Sequence, residues 1–77
     1  MFEYLDYDTG NKITINPKHI TYIRKCTINP NKELTAISLQ GNCLVVVEES
    51  YEKVSKAFQK YLYSVSTVIT VWGNLLW

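Results

Sequence analysis

Histidine, cysteine, glycine and proline are all scarce in this chain of 77 residues. His19, Cys26 and Cys43 are the whole supply of imidazole and thiol ligands. A tetrahedral zinc site takes about four N or S ligands, and no CxxC spacing occurs, so no metal is expected. Two cysteines make no disulfide framework. The expectation is two free, buried thiols that pack as small hydrophobes. Gly10, Gly41 and Gly73 lie in separate segments, which excludes the clustered glycines of a phosphate loop. Excess charge of either sign is also missing: eight Lys and Arg face seven Asp and Glu, for a net charge of +1. No strong field therefore draws nucleic acid or an anionic membrane.

The amino terminus, MFEYLDYDTG, is acidic where a secretory leader needs basic residues followed by an apolar run. A cytoplasmic location is expected. The stretch VSTVITVWGNLLW, residues 65–77, carries no charge. It is too short to span a bilayer and is interrupted by Thr67, Thr70, Gly73 and Asn74.

Catalytic constellations are equally thin. Asp6 and Asp8 share a strand face, but they read as solvated carboxylates beside a turn. Cys26 or Cys43 with His19 imitates a thiol–imidazole pair, yet no local sequence supplies an orienting group or an oxyanion site. The expectation is a protein that is not an enzyme and carries no cofactor.

What the chain does have is apolar and aromatic residues: 47% hydrophobic, with six tyrosines, two phenylalanines and two tryptophans. FEYLDY, residues 2–7, reads as a strand ending at the turn signal DTGN. KITIN, 12–16, alternates with the period of 2 of a half-buried strand. Pro17 then breaks the ladder, and one helical turn is expected before a strand at 22–28. NPNK punctuates. Strands at 34–39 and 43–48 follow, separated by QGN. The run Leu44–Val47 does not alternate, which implies cover on both faces.

Residues 50–63 form the clear helix. Ser50 is a good N-cap, and Tyr51, Val54, Ala57, Phe58, Tyr61 and Leu62 make an apolar stripe. Glu49 and Glu52 precede Lys53 and Lys56 by four, an arrangement that supports a helix. Residues 64–72 are β-branched and alternate, so they predict a sixth strand. Left as an open edge, such a strand would template aggregation; it is expected to pair with its own sheet or with another chain. The predicted fold is a single small α+β domain spanning 1–77. It is a β-meander or partial barrel of five to six strands, with one amphipathic helix (50–63) before a C-terminal strand.

Two binding surfaces emerge. Val45, Val47, Ile69, Val71, Trp72 and Trp77 are the candidate interface of a homo-oligomer, because two strands carry apolar residues on both faces. Lys18, Tyr22, Arg24 and Lys25 form the alternative, a cationic patch with an aromatic that can stack on a base or a small nucleotide. In a strand, Arg24 and Lys25 point to opposite faces.

Residues 15–58 also carry a pattern: Ile15, Asn16, Pro17, Ile20 and Ile23, then Ile37, Leu39 and Gly41, then Val46, Val47, Glu49, Ser50 and Val54. This run resembles the FlbD-type small bacterial proteins linked to flagella and swarming. It is similar, too, to uncharacterised phage and mobile-element proteins of like size. The resemblance implies a non-catalytic accessory role in a bacterium or phage and brings no catalytic residues. The NPNK hairpin is longer than in that pattern, and residues 64–77 extend beyond it.

Overall fold

The computed structural model describes residues 2–76, with side chains through Val65. The chain is α+β, with five strands in two antiparallel sheets and one helix. Strand β1 (Phe2–Leu5) pairs with β2 (Lys12–Ile15), setting Tyr4 opposite Ile13 and Phe2 opposite Ile15. Their turn is closed by Asp6, whose carboxylate accepts from the Thr9 hydroxyl at 2.8 Å and whose carbonyl accepts from the Gly10 N–H at 2.8 Å. Gly10 sits at φ +73°, where a side chain is costly.

A 3-10 turn, Pro17–His19, follows as the proline predicted. Asn16 caps it by accepting the Lys18 N–H at 3.1 Å. Then come β3 (Ile20–Cys26), β4 (Leu34–Leu39) and β5 (Cys43–Val47), a meander with β4 in the middle. β3 begins two residues before its expected start, because a bulge between Ile20 and Tyr22 absorbs Thr21. Gly41 and Asn42 both take positive φ in the last hairpin, the two residue types that adopt it most readily.

The two sheets meet at one bridge. Asp6 lies opposite Val47, the Tyr7 N–H donates to Val46, and the Glu48 N–H donates to Leu5, each of those two bonds at 2.8 Å. The end of β1 thus continues along the free side of β5, and the sheets do not close into a barrel.

Alternation assigns the faces. Ile23, Ile37, Val45 and Val47 share the inner face, where Ile37 and Val47 are fully buried. Ile15 and Ile20 join this core, with Phe2 and Tyr4 packed against it. Helix α1 (Tyr51–Leu76) covers it with Val54, also fully buried, and Phe58. Burying a side chain of this kind is worth roughly 1.5–3 kcal/mol. Ser50 caps the helix as expected: its hydroxyl accepts the Lys53 N–H at 3.3 Å. Glu49 reaches Lys53 at 3.9 Å.

Three expectations are corrected. The sixth strand, 64–72, is not a strand: α1 runs through it to Leu76. Once a helix is nucleated, each added residue gains a hydrogen bond at little entropic cost. β-Branched residues lose only a few tenths of a kcal/mol in a helix, and no proline interrupts. The cysteines are not both buried: Cys26 is half-buried and Cys43 exposed. They pair with Leu34 and Leu39, five residues apart, and so lie on opposite faces of the sheet. Finally, the run Leu44–Val47 is not covered on both faces: Val47, on the inner face, is fully buried, while Val45 and Val46 are partly buried. Leu44, on the outer face, is 50% exposed.

Candidate functional site

The outer face of the meander is where the sequence-predicted cations and apolar residues come together. Opposite partners in an antiparallel pair share a face. The register therefore places Tyr22 beside Ser38 and Leu44, and Arg24 beside Ala36 and Val46. Tyr22 is half-exposed, like Leu44. Lys25 lies opposite Thr35, an inner-face residue, so it projects to the other side at the end of the strand. Lys18 stands exposed on the 3-10 turn. The four patch residues thus divide: Tyr22 and Arg24 share one face, Lys25 faces away, and Lys18 sits before the strand begins.

Part of this outer face is buried. Leu34 and Ala36 are buried although they point outward. Lys32 braces the 27–33 loop. Its ammonium lies 2.9 Å from Glu48 Oε1 and 5.8 Å from the centre of the Tyr7 ring. The Tyr7 hydroxyl in turn accepts from Asn29 Nδ2 at 3.3 Å. The hydrogen bond to Glu48 is the main cause that holds the Lys32 ammonium above its ordinary pKa. Sequence reasoning missed this Tyr7–Asn29–Lys32–Glu48 network, because its members are scattered from residue 7 to residue 48 and form no motif.

Beyond the loop lies a cavity of about 640 Å³ between residues 25–34 and the start of α1. Lys25, Asn31 and Ser50 line it together with Glu33 and Glu52. Charges of both signs line it. Among the described residues no cluster of three His, Cys, Asp or Glu side chains is placed to hold a metal ion. His19 Nδ1 lies 3.2 Å from Gln40 Oε1, a pair that ties the 3-10 turn to the end of β4. Asp6 is engaged by Thr9 in its turn.

The predicted interface residues also separate. Val47 fills the protomer's own core, and Val45 packs against it. The side chains of Ile69, Val71 and Trp72, and the whole of Trp77, lie outside the described residues. Sequence reasoning did not single out Leu62 and Val65 for an interface. They are 46% and 39% exposed, and Tyr63 is 73% exposed.

No known protein family, curated protein or solved structure matches this chain. No helix of the described residues is long and apolar enough to cross a membrane.

Proposed function

We propose that this protein is a non-catalytic binding module that works as a homo-oligomer, an accessory factor of a bacterium or phage. One observation carries the self-association. Helix α1 is 26 residues long, about 39 Å at 1.5 Å per residue, and among the described side chains the core takes Val54 and Phe58 from it. Past Phe58, the apolar side chains Leu62 and Val65 meet solvent. The sequence from Tyr61 to Trp77 has no charged residue to keep that half of the helix in water. A helix of this kind is stabilised by a matching apolar surface, and a second copy supplies one. Ile69, Val71, Trp72 and Trp77 belong to this proposed interface with Leu62 and Val65. Val47 does not, since its own core buries it.

The accessory role is supported by the resemblance of residues 15–58 to the FlbD-type and phage proteins. Light scattering coupled to gel filtration tests the oligomer: the full chain is expected to run as a dimer or larger and Val65→Glu as a monomer. A monomeric wild type overturns the reading.

A further inference from the structure

We propose that the free edge of β3 docks an extended acidic segment of a partner protein, which adds as a strand beside Tyr22–Cys26. β3 pairs with β4 on one side and lies at the end of its sheet. Beyond that ladder, the backbone hydrogen bonds of the described residues leave Tyr22–Cys26 unlinked. Such an edge is a template for one more strand.

Charge selects the occupant. Arg24 and Lys25 are exposed along this edge, Lys18 stands on the turn before it, and Lys25 lines the cavity that Glu33 and Glu52 also line. The ion pairs of the described residues are Lys32–Glu48 and Lys53–Glu49, and none of these three cations takes part. An antiparallel second copy of β3 would bring another Arg24 and Lys25 alongside, a repulsion between like charges. A nucleic acid stacked on Tyr22 would meet Arg24, but Lys25 points to the opposite face. An extended peptide meets both, because its own side chains alternate between faces. Two adjacent carboxylates in the added strand address Arg24 on the outer face and Lys25 on the inner one.

This inference rests on the binding-module reading and is independent of self-association. The test titrates the isotope-labelled full chain with a short β-branched peptide carrying two adjacent Glu, followed by amide NMR shifts. Expected are shifts centred on residues 20–26 and at least tenfold weaker binding of the same peptide with Lys-Lys. The double variant Arg24→Glu, Lys25→Glu should reverse that preference. Should it fail to fold, Arg24→Gln with Lys25→Gln should abolish the preference. Equal affinity for the two peptides, or no shifts with the acidic one, overturns the proposal. So do shifts at Tyr22 caused only by an oligothymidylate, which would assign the edge to nucleic acid. Light scattering on the same samples separates the two readings: a monomer that still binds the peptide overturns self-association alone.

Discussion

The Thr35 hydroxyl donates a 2.8 Å hydrogen bond to the Glu49 carbonyl, joining the middle strand of the sheet to the residue before the helix cap. Thr35 is fully buried on the inner face, between Lys25 of β3 and Val47 of β5. Without this bond a buried polar atom would be left unpaired, and the angle at which α1 crosses the core would lose a constraint. Thr35→Val is therefore expected to cost about 1–3 kcal/mol, read as a lower urea midpoint with an unchanged slope.

Ser50→Ala removes the acceptor of the Lys53 N–H. The expected loss is about 1 kcal/mol, seen in thermal melts. Ser50→Asp should restore most of it, because a carboxylate both caps and favours the positive end of the helix.

Val65→Glu separates folding from assembly. Val65 is 39% exposed and lies outside the core cluster. Under dilute conditions the variant should keep the circular dichroism of the wild type. What it should lose is the dependence of melting temperature on protein concentration that marks an oligomer. A wild type whose melting temperature ignores concentration speaks against the assembly.

Alkaline pH should loosen two places. Burial, reinforced by the Glu49 carboxylate, raises the Tyr4 hydroxyl above its ordinary pKa, and Glu48 raises Lys32. Both groups hold their protons more tightly when folded, so the unfolded chain releases them first. Their contribution is complete below the ordinary values, about pH 10, and is lost as pH rises through the raised ones. Stability should fall across that window. Lys32→Met should flatten the part due to the loop, measured by denaturation at successive pH values.

Retention on an oligonucleotide column discriminates the cationic patch. With Arg24 and Lys25 on opposite faces and a net charge of +1, no salt-dependent retention is expected. Retention at low salt that disappears in Arg24→Gln with Lys25→Gln would favour the nucleic-acid reading.

Much of the local structure was legible in the residues themselves. Ile13 and Ile15 alternate because one face of β2 is buried. Pro17 ends that strand, Ser50 starts the helix, and Gly41 with Asn42 accepts the left-handed hairpin. Each is a short-range effect, decided by a residue's own dihedral preferences and near neighbours. The division of Arg24 from Lys25 was legible for the same reason, since a strand has a period of two.

Tertiary structure alone decided the rest. Val65, Thr67, Ile69 and Val71 alternate as a strand would, yet they lie within a helix already nucleated at Ser50, and β propensity is easily overridden by context. Leu44 and Val47 look alike in the run CLVVVE, but pairing turns one outward, half-exposed, and buries the other completely. Leu34 is buried on the outer face, and the loop before it is braced by Tyr7 and Glu48, both remote in sequence. Periodicity states which residues share a face; only the packing of distant segments states what covers that face, because burial belongs to the neighbours and not to the residue.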